Sequence, residues 1–383
     1  MNFELNEDQA SIRKTAKDFV DREIVPFAAE WDRTETMDKS IVAKLAEVGF
    51  LGAPLPETYG GMGVDNVSYC TIVEELGRAD SSVRGVVSVN VGLVGKTILK
   101  WGTEEQKQEW IPQLCSGAKL GCYGLTEPHS GSDAASLKSK AVRDGSDWVI
   151  SGTKMFITNG TWAGVALIFA RTGDDSARGI SAFLVPTDEP GFSSNKVMGK
   201  LGLRSQDTGE LVMDGVRVPD ANRLGDEGQG FKIAMTALDT GRMSLAAGSV
   251  GIAQGCLEAS IKYSTEREQF QRPIARFQLV QELIADMAVE IETARLLTWH
   301  VATMADRGEK HTLQSSYAKY FASETAVRAA NAAVQVHGGY GYIDEYPVGK
   351  YLKDARVATL YEGTSQIQKL IIGRALTGEN AFT

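Results

Sequence analysis

The sequence predicts a multidomain α+β protein. It has an N-terminal α-helical domain, a middle antiparallel β-barrel or sandwich domain, and a C-terminal four-helix bundle. The spacing of apolar residues changes twice, because helical spacing gives way to short apolar runs beyond Leu120 and returns after Gly230. The length agrees with this division, since 383 residues with 43% hydrophobic content can bury a core spread over two or three structural units.

The first domain is expected over residues 1–119. From Asn6 to about Gly117, apolar residues recur at helical intervals, as in Ile12/Ala16/Phe19/Val20 and Ile41/Leu45/Val48. Two segments rich in proline or glycine, residues 54–56 and 60–63, interrupt this periodicity. We therefore predict several helices with a break in this region.

The middle domain is expected over residues 120–228. Its strands are predicted from short runs rich in β-branched and aromatic residues: 148–150, 165–169, 180–185 and 211–213. Glycine, aspartate, asparagine and proline separate these runs at short spacings, which favours antiparallel pairing.

The C-terminal bundle is expected over residues 229–383, as long alanine-rich helices interrupted near Arg272-Pro273 and at residues 338–341. No G-x-G-x-x-G motif follows a predicted strand, and the nearest candidate, residues 225–230, lacks the spacing. No parallel βαβ series is present either. A nucleotide site of the Rossmann type is therefore disfavoured.

Composition excludes several functional classes. The net charge of −9 and the lack of any block of positive charge argue against nucleic acid as a partner. The four cysteines lack CxxC spacing, which argues against a zinc site and a disulfide framework and favours a reducing, cytoplasmic setting. They are Cys70, Cys115, Cys122 and Cys256.

Neither secretion nor membrane insertion is expected. Residues 1–5 lack a basic stretch followed by an apolar run, so no secretory signal is visible. We expect no uninterrupted apolar segment long enough to span a bilayer.

The most informative segment is Leu360-Tyr361-Glu362-Gly363-Thr364-Ser365-Gln366-Ile367-Gln368. Gly363 allows close approach of a ligand, Thr364 and Ser365 are good N-cap residues, and the following apolar spacing predicts a helix. Glu362 therefore lies at a turn, where its carboxylate can point into a cleft as a general base. The alternative is a solvated turn glutamate without a chemical role.

Two upstream segments give this turn its context: residues 123–133, Tyr-Gly-Leu-Thr-Glu-Pro-His-Ser-Gly-Ser-Asp, and residues 154–160, Lys-Met-Phe-Ile-Thr-Asn-Gly. In this order and at these separations, the three segments resemble the acyl-CoA dehydrogenase family, flavoproteins that desaturate acyl-CoA thioesters. The resemblance runs over essentially the whole chain and implies the same α-β-α architecture, with short-chain and some glutaryl-CoA dehydrogenase features.

The resemblance implies FAD as the cofactor. The residues matching flavin-contacting positions are Tyr123, Leu125, Thr126, Ser132, Phe156, Thr158, Thr364 and Gln366. Many relatives carry Trp at the position of Phe156, and Phe keeps the stacking surface without the N–H donor.

A neighbouring subunit grips the adenine end of FAD in this family, which implies a homo-oligomer, usually a tetramer. The matching residues are Arg267, Phe270, Phe277, Gln278, Gln335 and Gly339. Taken alone, Arg267 reads as a solvated helix charge; by resemblance it is a pyrophosphate donor.

Other positions are assigned by the resemblance to the substrate. They are Ser132, Asp239, Arg242, Tyr361 and Gly363. For Asp239 and Arg242, an i,i+3 ion pair within one helix is the alternative, worth roughly 0.2–0.5 kcal/mol. Gly241 stands where some relatives, such as isovaleryl-CoA dehydrogenases, place their catalytic glutamate, which leaves Glu362 as the candidate.

The implied reaction needs a base for the weakly acidic thioester α-proton and stabilisation of the enolate-like oxygen. By analogy Glu362 is the base, its backbone N–H and a flavin hydroxyl bind the carbonyl oxygen, and the flavin takes the β-hydrogen as hydride. Burial beside the flavin should raise the pKa of Glu362. The resemblance also implies an electron-transferring flavoprotein as the acceptor.

Arg84 raises the question of the substrate. It is a single charge within an otherwise apolar or small-residue helix, so it should reach solvent or meet a carboxylate. One interpretation is an ion pair with Glu74, Glu75 or Asp80. The other, by resemblance to glutaryl-CoA dehydrogenases, is that Arg84 binds the distal carboxylate of a dicarboxylic acyl-CoA, although those enzymes often carry Glu where this chain has Gly77.

A short-chain saturated acyl-CoA is the leading expected substrate. The alternatives are a dicarboxylic acyl-CoA such as glutaryl-CoA, with or without decarboxylation, and a non-redox acyl-CoA lyase or binding protein on the same scaffold. Loss of the base would be the expected sign of the last class, and Glu362 is present.

Overall fold

The structure, a computed structural model, describes residues 3–381. Helices dominate its first part, as the sequence predicts. These helices are α1 (Glu7–Glu23), α2 (Val25–Thr34), α3 (Ile41–Glu47), α4 (Asn66–Ala79), α5 (Ser81–Val87), α6 (Lys96–Trp101) and α7 (Glu104–Cys115). Capping boxes begin two of them: Asn6 with Gln9 at α1, and Thr103 with Gln106 at α7.

Between α5 and α6 the chain continues as a π-helical segment, Ser88–Gly95. The whole run Ser81–Trp101 is long and apolar enough to cross a membrane by length and composition, with a mean hydropathy of 1.2. This corrects the expectation that no such segment exists. Because 89% of its most apolar 18-residue window is buried inside the protein, we interpret the run as a core helix.

The middle part is one sheet. Its strands are β1 (Gly121–Gly124), β2 (Lys140–Asp144), β3 (Asp147–Thr158), β4 (Val165–Arg171), β5 (Ile180–Pro186), β6 (Phe192–Lys196), β7 (Thr208–Pro219) and β8 (Arg223–Leu224). They lie in the order β6-β7-β3-β2-β4-β5-β8, and β1 pairs with β4. Most pairs are antiparallel as predicted, whereas β4 pairs in parallel with β1 and at one position with β2.

Helices return after the sheet. They are α8 (Gly230–Glu266), α9 (Gln278–Asp306), α10 (Thr312–His337), α11 (Val348–Ala358) and α12 (Ser365–Thr377). A two-stranded hairpin, β9 (Glu268–Gln269) and β10 (Arg272–Pro273), separates α8 from α9, and a 3₁₀ turn at Gly338–Tyr342 follows α10. Both interruptions occur where the sequence predicts them.

Helix α8 crosses α4 at glycines, which brings the N-terminal helices against the C-terminal bundle. A Cβ at Gly77 would lie 2.4 Å from the Gly248 carbonyl oxygen, and one at Gly251 would lie 2.0 Å from the Glu74 carbonyl oxygen. Neither backbone oxygen can move without shifting its helix. The close crossing therefore requires glycine at these positions.

We expect Gly251→Ala to lower the free energy of unfolding by about 3 kcal/mol or more, because the added methyl group forces the two helix backbones apart. Thermal denaturation measures the change in stability, and hydrogen exchange of the α4 and α8 backbone amides shows whether the loss is centred on this crossing. The control is Gly373→Ala in α12, where a Cβ meets no atom within 4 Å. This control should be neutral or stabilising by about 0.5–1 kcal/mol, and equal stability of the two variants would contradict the tight crossing.

Candidate active site

The Glu362 turn joins α11 to α12. Glu362 has φ 55° and Gly363 has φ 89°, so both residues adopt the left-handed conformation. This conformation costs a non-glycine residue roughly 1–2 kcal/mol. The Thr364 side chain accepts the Ile367 N–H and starts α12 as predicted. Backbone strain at a single glutamate indicates that surrounding contacts hold it in place.

Three side chains hold the carbonyls of this turn. Gln368 Nε2 donates to Glu362 O at 3.1 Å and to Gly363 O at 3.0 Å. Arg242 Nε donates to Glu362 O at 3.4 Å, and Lys319 Nζ donates to Gly363 O at 2.7 Å. These contacts come from α12, α8 and α10, so the turn is fixed from three directions.

The Glu362 carboxyl group faces a confined space. Its Oε2 atom is buried and has no hydrogen-bond partner among the described residues. A Cβ at Gly241 would lie 2.5 Å from Oε2 and 2.7 Å from Leu93 Cδ2, so Gly241 leaves room for the carboxylate. Burial raises the pKa of Glu362 to about 7, against the opposing effects of Arg84, Lys319 and Arg242. The direction agrees with the sequence-based expectation.

A pH dependence follows from this pKa. Because a base must be deprotonated to accept a proton, kcat should fall as the pH drops through about 7. The check is the kcat profile between pH 5 and pH 9 at saturating substrate, and an acid limb near pH 4.5, the ordinary value for a glutamate, would contradict the burial argument.

Arg84 does not form the ion pair that the sequence suggested. Its guanidinium is 2% exposed and donates to Ser81 Oγ at 3.2 Å and to Tyr361 OH at 2.5 Å. Among the residues that the structure describes, no carboxylate lies within ion-pairing distance of it. The interpretation of an ion pair with Glu74, Glu75 or Asp80 is therefore wrong.

Those three carboxylates have other partners, which explains the error. Arg295 binds Glu74 at 2.9 Å, Arg78 binds Glu75 at 2.7 Å, and Lys350 binds Asp80 at 3.0 Å. The cations that pair with Glu74 and Asp80 come from α9 and α11, far along the sequence, whereas Glu75 pairs with Arg78 one turn away on α4.

Asp239 and Arg242 do form the i,i+3 ion pair, with Arg242 Nη1 at 2.9 Å from Asp239 Oδ1. Thr312 Oγ1, at the start of α10, donates to the other oxygen of Asp239 at 2.7 Å. Arg242 also reaches the Glu362 carbonyl, so this pair belongs to the wall of the site. The two interpretations of these residues are compatible.

The sheet contributes a second wall. Tyr123 and Leu125 are buried, and Met155 N–H donates to Thr126 O at 2.9 Å, which ties the Thr126 loop to β3. Phe156 has φ 61° at an irregularity in β3, and its side chain is 64% exposed. An exposed aromatic ring on a strained backbone is typical of a binding surface that a ligand covers.

Three further predicted residues are Thr158, Ser132 and Gln366. Thr158, at the end of β3, accepts a hydrogen bond from Gln206 Nε2 at 2.6 Å. Ser132 is exposed in the loop between β1 and β2. On α12, Gln366 is exposed in the first turn.

The remaining predicted residues lie on the outer surface of the C-terminal helices. Arg267 and Gly339 line one pocket of about 500 Å³ together with Tyr263, His337 and Tyr340. The rings of Phe270 and Phe277 are 5.9 Å apart. Gln278 begins α9 and Gln335 is exposed near the end of α10. Glu362 is not among the residues that line this pocket.

Sequence reasoning missed Lys319, Gln368 and Gln206. Lys319 had a signal, because it is a lone charge at helical spacing from small residues in α10. Gln368 lies in the segment 360–368, three residues after the first residue of α12, Ser365. A glutamine at that place in a helix does not by itself indicate a function. Gln206 stands in a loop and carried no signal.

The comparisons with known proteins agree with this arrangement. The sequence matches "Acyl-CoA dehydrogenase, N-terminal domain" over residues 6–118, the middle domain over 122–216 and the C-terminal domain over 228–377. It is 42% identical over 372 residues to the mitochondrial short-chain specific acyl-CoA dehydrogenase of Mus musculus, covering 97% of this chain and 90% of the relative.

Two solved structures are closely similar. A chain from a structure described as the electron transferring flavoprotein of Acidaminococcus fermentans is 42% identical with a TM-score of 0.97, covering 99% of this chain and 100% of that chain. Glutaryl-CoA dehydrogenase from Mycobacterium smegmatis is 40% identical with a TM-score of 0.95, covering 99% and 97%.

Proposed function

The chain belongs to the acyl-CoA dehydrogenase family of FAD-dependent oxidoreductases, and we propose that it converts a short-chain acyl-CoA to the trans-2-enoyl-CoA with Glu362 as the base. The observation that carries this proposal is the buried Glu362 carboxyl, whose Oε2 has no hydrogen-bond partner and whose pKa is raised to about 7. A carboxylate held this way accepts a proton near neutral pH more readily than a solvated one.

The residues present fit FAD. The exposed Phe156 ring offers a stacking face, and the Thr158 hydroxyl accepts from Gln206, so its own hydrogen is available to donate. Tyr123, Leu125 and Thr126 are assigned to the flavin end of the cofactor. Arg267 and Gly339 are assigned to its adenine end. When bound, FAD supplies the two-electron acceptor for the β-hydrogen.

The work of the protein is proton removal and orientation. The Glu362 carboxylate takes the α-proton, and the hydrogen bonds to the turn carbonyls fix the backbone that carries it. Arg242, held by Asp239, and Tyr361 line the space beside it and are assigned to the CoA thioester arm, together with Ser132 and Gly363.

A second candidate function is dehydrogenation of a short acyl-CoA that ends in a carboxylate. Arg84 favours it, because its guanidinium donates to hydroxyl groups and no described carboxylate lies within ion-pairing distance of it. Arg84 donates to Tyr361, the residue directly before Glu362. The chain that links thioester and carboxylate would have to be short.

We also propose a homotetramer and an electron-transferring flavoprotein as the electron acceptor. Phe270 is 87% exposed and Leu279 is 75% exposed on the C-terminal helices, which is expected of a surface that another subunit covers. The flavoprotein proposal is supported by the likeness to the chain from the Acidaminococcus fermentans structure.

The test is anaerobic bleaching of the oxidised flavin by a panel of butyryl-, isobutyryl-, octanoyl- and glutaryl-CoA. We expect butyryl-CoA or glutaryl-CoA to bleach the flavin and octanoyl-CoA to bleach it poorly. Binding of every thioester without bleaching would contradict the dehydrogenase proposal and favour non-redox chemistry.

A further inference from the structure

Lys319 is a buried lysine whose charge the proposed reaction has not yet used. It lies on α10 with 0% exposure, and its Nζ donates to the Gly363 carbonyl at 2.7 Å. The residues around it on the helix are small and buried, including Ala318, Ala322 and Ser323. Burying an ammonium group among such residues is costly, so nearby groups must compensate for it.

The compensating groups lie on the Glu362 turn and on α10. Burial lowers the pKa of Lys319 to about 8, whereas Glu362 and Glu324 oppose that effect and Arg242 adds to it. Lys319 therefore still carries its proton at neutral pH. Glu324 itself accepts a hydrogen bond from Ser365 in the first turn of α12, so it also belongs to the support of the turn.

We propose that Lys319 is a positioning residue for Glu362, acting through the Gly363 carbonyl to hold the left-handed turn and supplying a cation that favours the ionised base. The inference rests on the proposed role of Glu362 and deepens it. The Gln368 amide holds the same carbonyl but brings no charge. Lys319 and Arg242 both combine a hydrogen bond to the turn with a positive charge, but the charge of Arg242 is paired with Asp239.

The other groups that face Glu362 do not replace it. They are Arg84 from α5, Arg242 from α8, Tyr69 from α4, Tyr123 from β1 and the neighbouring Tyr361. The charge of Arg242 is balanced by Asp239, whereas Arg84 also favours the ionised Glu362 but makes no hydrogen bond to the turn carbonyls, since it donates to Ser81 and Tyr361. The tyrosines are neutral at working pH, because burial raises their pKa values.

The test compares the kcat–pH profiles of wild-type holoenzyme, Lys319→Met and Lys319→Gln. Loss of a cation near a carboxyl raises the pKa of that carboxyl, so both variants should move the acid limb up by about one pH unit. Lys319→Met should also lower kcat on the high-pH plateau by roughly 10-fold, because the turn is less well fixed. Lys319→Arg, which keeps a charged donor, should return the acid limb towards its wild-type position.

The control is Lys369→Met, which removes an exposed lysine of α12 that lies over the Tyr320 ring. It should leave the profile unchanged. An unchanged acid limb in Lys319→Met and Lys319→Gln, with only a lower Tm, would reduce Lys319 to a structural residue and overturn the inference. A wild-type enzyme without an acid limb near pH 7, or one that Glu362→Gln leaves active, would instead overturn the role of Glu362 itself.

Discussion

Glu362→Gln is expected to lower kcat by roughly 10⁴-fold, at the upper end of what a general base contributes, while FAD and acyl-CoA still bind. The amide has nearly the shape of the carboxyl, so the strained turn and its clamps from Gln368 and Lys319 should survive. It cannot accept the α-proton, and the position on α8 that faces the Glu362 carboxyl is Gly241, which has no side chain to replace it. Stopped-flow reduction of the flavin by butyryl-CoA and glutaryl-CoA measures the effect.

The matched control is Glu345→Gln, which removes an exposed carboxylate from the segment between α10 and α11. It should reduce the flavin at the wild-type rate. Equilibrium binding of the product-like enoyl-CoA, followed through the flavin spectrum, separates loss of chemistry from loss of binding. Wild-type reduction by Glu362→Gln would remove this residue from the mechanism.

The parts of this site that the sequence predicted are those encoded locally. The helix after Glu362 was predicted because Thr364 is a cap residue and the apolar spacing behind it is regular. The raised pKa of Glu362 was expected from burial beside the flavin that the resemblance implies, and burial raises it in the structure. The α-β-α order was predicted because each region has its own period of apolar residues.

The parts that could not be predicted depend on contacts between distant segments. The partners of Arg84 illustrate this, because Glu74 lies ten residues before it yet pairs with Arg295 on α9. Tyr361, which does bind Arg84, is 277 positions away. Lys319 and Gly363 are likewise joined only when α10 packs beside the turn.

Arg84 therefore stands as a buried cation whose present partners are hydroxyl groups, and the two candidate substrates make opposite demands on it. A saturated short acyl chain gains no binding energy from the Arg84 guanidinium, and the polar surroundings of that group limit how well the chain binds. A chain that ends in a carboxylate forms the missing ion pair in a place from which water is excluded, where such pairs have large coupling energies. Substitution of Arg84 separates the two cases.

We expect Arg84→Met to lower the ratio of kcat/KM for glutaryl-CoA to kcat/KM for butyryl-CoA by about 10²-fold or more, since removing one member of a buried charge pair costs roughly 2–5 kcal/mol. Methionine preserves much of the aliphatic volume beside Gly248, where a Cβ would already lie 2.8 Å from Arg84 Cδ. Because Tyr361 loses its partner, Tyr361→Phe serves as the control for that hydrogen bond alone and should change the ratio much less. An unchanged ratio in Arg84→Met, with butyryl-CoA still turned over, would leave the saturated short-chain substrate as the function of this site, because the guanidinium would then contact no part of the acyl group.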